Sequence, residues 1–117
     1  MIAGIPSSLS ALQAFSTKIG NTAHNIANMN TDGFKKSRVL LSEQYPQGVR
    51  ATVEQVDLSG PGAGGAGEQD QALTAPADVD LSEEIPEMMT TVHGYKANLK
   101  TLQAADQMLA SLLDIKA

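Results

Sequence analysis

Two rows of residues spaced seven apart run through the last third of the chain. One row is Ile85, Val92, Leu99, Asp106 and Leu113; the other, three residues on, is Met88, Tyr95, Leu102, Leu109 and Lys116. These read as a and d positions held for about five heptads, with Asp106 as the polar exception and Lys116 at a fraying end. A 3.5-residue period keeps one stripe of a helix pointing in one direction, and that stripe must be covered by another helix. The flanking positions include Met89, Ala105, Ala110 and Leu112 rather than alternating charges. The stripe is therefore wider than a two-stranded seam, which predicts more than one helical neighbour. Glu83, Glu84 and Glu87 lie where the positive end of the helix dipole favours them, and Asp80 has capping-box spacing to Glu83. Pro86 fits only a first turn, so the regular helix starts at Pro86 rather than at Ser82.

A covering helix is available near the other end of the chain. Pro6 followed by Ser7 and Ser8 supplies a breaker and a capping hydroxyl. Leu12, Ile19 and Ile26 then recur every seven residues, with Phe15, Ser16 and Ala23 between them. The expected intramolecular seam joins Leu12, Ile19 and Ile26 to Val92, Leu99, Leu102 and Leu109. Asn21, Asn25 and Asn28 fall nearly opposite the apolar arc. Asparagine is a mediocre helix former because its amide competes for backbone groups, so three on one face need a reason beyond propensity. Side-chain amides both donate and accept, which suits a repeated contact between subunits. Asn21, Asn25, Asn28 and Lys35 are the expected subunit contacts. The helix stops near Asn30–Gly33, where Gly33 takes the left-handed turn out.

Between the helices, Val39-Leu40-Leu41 and the alternating Val49, Ala51 and Val53 flank the turn signal Tyr45-Pro46-Gln47-Gly48. A shift of phase to Val56 and Leu58 marks a bulge or the strand's end. The expected product is a short β-hairpin that needs something to pack on. Ser59–Gly67 reads as a flexible linker. Its formal G-x-G-x-x-G match is followed by Glu68, Gln69 and Asp70 rather than by a helix opening toward a phosphate, which excludes a dinucleotide site. Lys35, Lys36 and Arg38 form a small basic knot, either a solvated turn or a contact to an acidic neighbour. The chain thus divides into residues 1–34, 35–80 and 81–117: helix, hairpin with linker, and heptad helix. The fold class is mainly α, with the terminal helices paired as a coiled coil.

Composition narrows the chemistry. The 117 residues suffice for one small domain and include no cysteine, so no disulfide or thiolate zinc site is available. A net charge of −5 argues against binding a nucleic-acid backbone. No apolar run approaches the roughly 20 residues of a transmembrane helix, and Met1–Pro6 lacks the features of a cleaved signal peptide. His24 and His93 have no second ligand at metal-binding spacing on their own helices. No motif presents a nucleophile, and the carboxylates read as cap and dipole residues. No enzyme, cofactor, metal or small-molecule substrate is expected. What remains is association.

The stretch Asn25-Ile26-Ala27-Asn28-Met29-Asn30-Thr31-Asp32-Gly33-Phe34-Lys35-Lys36 resembles the N-terminal motif of the bacterial flagellar rod and hook proteins. Val79–Glu84, Tyr95-Lys96-Ala97-Asn98 and Asp106-Gln107-Met108-Leu109 resemble that family's closing helix. The resemblance implies a structural subunit of the flagellar basal-body rod, assembling through its terminal helices with itself and with other rod or hook proteins. It further implies passage through the flagellar export apparatus without a cleaved signal. The middle zone is too short for the large outer domain of longer members, so the shortest rod type fits best. A helical adaptor of the same or a related secretion apparatus, which never polymerises, is the alternative.

Overall fold

The computed structural model describes residues 4–56 and 77–116, and the Ser59–Gly67 linker lies outside them. Along the chain come α1 (Gly4–Ala27), β1 (Ser37–Glu43), β2 (Val49–Gln55) and α2 (Leu81–Lys116). The protein is mainly helical, two long helices flanking one short antiparallel hairpin. It is elongated, 78 × 27 × 15 Å.

Both helices start earlier than their prolines suggest. Pro6 sits inside the first turn of α1, where its missing N–H is one of the unpaired donors of any helix start. Pro86, by contrast, lies beyond the first turn of α2. Asp80 caps that helix: its Oδ1 accepts from the Ser82 N–H at 2.9 Å and the Ser82 hydroxyl at 2.6 Å, and its carbonyl accepts from Glu84 N–H at 3.0 Å. From that cap the helix runs unbroken through Pro86. Ser82 and Pro86 are both exposed, which leaves water to satisfy the carbonyl that proline cannot.

The helices run antiparallel. Lys18 Nζ meets Glu87 at 2.8 Å, and Phe15 packs so closely on Gly94 that a Cβ there would lie 3.0 Å from its ring. The heptad is present, but its phase is turned. The covered rows of α2 are Met88, Tyr95 and Leu102 together with Glu84, Thr91, Asn98 and Ala105. Ile85 and Leu99 are 44% and 38% exposed, and only Val92 of that row is half-buried before Asp106. The first of the two rows expected from apolarity therefore sits one residue away from the row that packs. Small Thr91 and Ala105 allow close approach of the helices, and Glu84 has a polar reason to turn inward.

The hairpin lies along another face of α1, and no Cα of either strand comes within 8 Å of α2. Its register pairs Ser37 with Gln55, Val39 with Val53 and Glu43 with Val49. Val56 N–H donates to the Lys36 carbonyl, so the strand ends where the alternation changes phase. That parity turns the backbone groups of Ser37 and Val49 to the outer edges of the ribbon. Helix side chains cap both: Ser10 Oγ accepts from Val49 N–H at 3.1 Å, and the α1 asparagines hold Ser37. Gly48, at φ +124°, sits where a Cβ would lie 2.7 Å from Ser10 Oγ. Helix α1 is thus the middle layer, covered on one side by α2 and on another by the chain's own hairpin.

Candidate functional site: a three-element junction and an uncovered helix

Asn25 is 1% exposed, the most deeply buried side chain described. Its Oδ1 accepts from Ser37 N–H at 3.1 Å and its Nδ2 donates to the Ser37 carbonyl at 2.7 Å. The amide mimics the neighbouring strand that β1 lacks at this position. Nδ2 also stands 3.4 Å from both carboxylate oxygens of the buried Glu84, so one side chain joins α1, the hairpin base and α2. Asn21 Nδ2 adds a second bond to the Ser37 carbonyl at 2.7 Å. Around them, Lys36 pairs with Glu83 at 3.1 Å. A cavity of about 390 Å³ opens beside the junction, between Lys18, Asn21, Lys36 and the three glutamates.

The electrostatics follow from these contacts. The hydrogen bond to Glu83 leads the causes that hold the Lys36 ammonium above its ordinary pKa, against a smaller opposing effect of burial. The hydrogen bonds from Ser82 hold the Asp80 carboxyl below its ordinary value. Glu83, Glu84 and Glu87 each face a donor on α1 or the hairpin base, whereas Asp80 is held within the start of α2. The described residues include no group of three histidines or carboxylates that could hold a metal.

The structure places the four expected subunit contacts differently from one another. Asn25 and Asn21 turn toward their own hairpin, and Asn25 has no surface left for a neighbour. Asn28 works locally, its Nδ2 donating to the His24 carbonyl and its Oδ1 accepting from Thr31 at the end of α1. Lys35 is exposed. Gly33, at φ +72°, makes the turn that returns the chain toward β1. His24 stacks edge-on against Phe34 at 5.5 Å. Of the seam residues, Leu12 is buried, Ile19, Ile26, Val92 and Leu102 are half-buried, and Leu99 and Leu109 are exposed. Sequence reasoning missed Ser10, Ser37, Thr91 and Gly94, and took Glu84 for a dipole residue only. Its place in the heptad row of Thr91, Asn98 and Ala105 was the available signal.

Beyond the junction, α2 outruns α1. Continuing the Phe15–Gly94 pairing brings Gly4 level with Ala105, and every described side chain of α2 after that point is exposed. Met108, Leu109, Leu112, Leu113 and Ile115 all lie on this overhang.

The described residues thus form two paired helices of unequal length, a hairpin capped by the shorter one, and exposed apolar turns at the end of the longer one. Residues 77–115 match the family model described as "Flagellar basal body rod FlgEFG protein C-terminal", and residues 5–35 match "Flagella basal body rod protein". The chain belongs to the bacterial flagellar rod and hook family. It is 42% identical over 59 residues to the flagellar hook protein FlgE of Caulobacter vibrioides, covering 50% of this chain and 10% of that one. It is 36% identical over 62 residues to FlgE of Borreliella burgdorferi, covering 53% and 14%. Against the flagellar basal-body rod protein FlgG of Bacillus subtilis it is 30% identical over 88 residues, covering 74% and 31%. The matched segments span less than a third of the length of each relative.

Proposed function

We propose that this chain is a structural subunit of the flagellar axis at the level of the basal-body rod, not an enzyme, and that it joins copies of itself and other rod or hook proteins through its helices. The overhang of α2 carries the reading: Leu109, Leu112, Leu113 and Ile115 project beyond the end of α1. A helix apolar on several faces is stable in water only when other elements cover it. A contact between two different patches of one surface propagates instead of closing, which is how a tube or rod grows. Passage through the flagellar export channel, without a cleaved signal, belongs to the same reading.

The test is incorporation. The chain should be present in several copies along the axis of purified basal bodies, and its deletion should abolish swimming. Leu109→Asp with Leu113→Asp should leave the helicity of the purified protein intact and abolish incorporation, because both positions are exposed in the lone chain. Absence from intact basal bodies, with motility kept on deletion, would refute the axial reading.

A further inference from the structure

Four charges on α2 have no partner among the described residues. Lys96, Lys100, Asp106 and Asp114 are exposed and enter no ion pair or hydrogen bond, whereas Lys18, Lys36 and Arg38 each pair with a glutamate. None of the four has an opposite charge three or four residues away on its helix. Lys96 and Lys100 instead stand at i, i+4 to each other, which disfavours the isolated helix. The signs are also segregated, with both cations preceding both anions. At 3.6 residues per turn the four fall within one arc of about 120°, shared with Ile85, Met89 and Leu99. The centre of this arc lies roughly 110° from the buried rows, its Asp106 edge adjoins the row of Met88 and Tyr95, and the hairpin does not reach α2 to cover it.

We infer that this ridge receives α2 of a second copy of the chain, lying parallel and displaced along the axis by three to four turns, so that Lys96 and Lys100 of one copy meet Asp106 and Asp114 of the next. The contact rests on the axial reading above and specifies how one subunit grips another. Lys96 to Asp106 and Lys100 to Asp114 correspond to displacements of roughly 15 and 21 Å at 1.5 Å per residue. Over that range Leu99 comes level with positions 109 to 113 of the neighbour, where Leu113 stands at the margin of the arc. Each copy offers cations at one level and anions at another, so the contact repeats without closing. An antiparallel pair also matches the four charges, but it saturates as a dimer.

Sedimentation of the purified full-length chain at low salt tests the contact. The wild type should form an open series of species whose mean mass climbs with concentration and falls as salt is added. Lys96→Glu with Lys100→Glu should raise the concentration needed for association about tenfold or more, as should Asp106→Lys with Asp114→Lys. Mixing the two double variants should restore the series, as should all four substitutions in one chain. All the sites are exposed and the new residues are good helix formers, so unchanged circular dichroism accompanies each result. A closed dimer, no association of the wild type, or indifference to the substitutions overturns the contact. In cells, normal incorporation of every charge variant refutes the ridge and leaves the axial reading standing. Absence of the wild type from the axis refutes the axial reading itself.

Discussion

A primary amide is a peptide group in miniature, and Asn25 uses it as one. Its oxygen and nitrogen engage the N–H and carbonyl of Ser37 as a third strand would, while the remaining donor capacity leans toward Glu84. Neither aspartate nor glutamine reproduces this. Aspartate loses the donor and sets a second carboxylate beside Glu84, and glutamine overreaches by a methylene. Asn25→Ala strips the partner from the Ser37 N–H at the hairpin base while the carbonyl keeps Asn21, and a buried group left without its bond costs about 1–3 kcal/mol. The expected outcome is a loss of about 2 kcal/mol in urea unfolding, with faster hydrogen exchange at the Ser37 amide. Asn25→Asp should lose more than the alanine variant. Subunit association should change only as much as the fold does. The opposite result, weak association with unchanged stability, would restore Asn25 to a contact between chains. At Gly94 the constraint is space: Phe15 stands 3.0 Å from the site of a Cβ, so Gly94→Leu should cost about 1–3 kcal/mol by overpacking.

At the scale of elements, the period of α2 was legible in the sequence and its phase was not. Apolarity ranks Ile85, Val92 and Leu99 above Glu84, Thr91 and Asn98, and a lone sequence has no other criterion. The phase is set by what α1 presents: the Asn25 amide for Glu84 and the Phe15 ring for Gly94. The three asparagines were legible as an oddity needing a cause. Their partner was not, because Asn21 and Asn25 bind the backbone of Ser37, and a backbone edge leaves no trace in residue type. The hairpin was legible from its turn and alternation, while its docking on α1 depends on edge parity, which only the register reveals. The docked start of α2 also fixes a pH response. Asp80, with its pKa lowered in the fold, adds stability that is full above the unfolded value near 4 and is lost as pH falls through the folded one. Lys36, with its pKa raised, adds stability that is full below the unfolded value near 10 and is lost as pH rises through the folded one. Urea midpoints measured against pH should therefore drop at both extremes, and Lys36→Met should remove the alkaline limb selectively.

For the whole molecule, the difference in length between the helices separates folding from assembly. Among the described residues, the buried and half-buried positions of α2 end at Ala105, and the turns beyond are exposed. Removing residues 106–117 should leave circular dichroism per residue and the melting temperature nearly unchanged, yet abolish association. A large fall in melting temperature would mean that the overhang folds back on its own chain. The position of α1 between two coverings also has a consequence in time. Ser10 and Val49 are 39 residues apart, while Asn25 and Glu84 are 59 apart. The nearer partners form the shorter loop and meet first. Asn25 is 12 residues from Ser37 and 59 from Glu84, so loop closure favours the Ser37 contact forming before the Glu84 contact. Closure of the second helix becomes the event that reports a finished subunit.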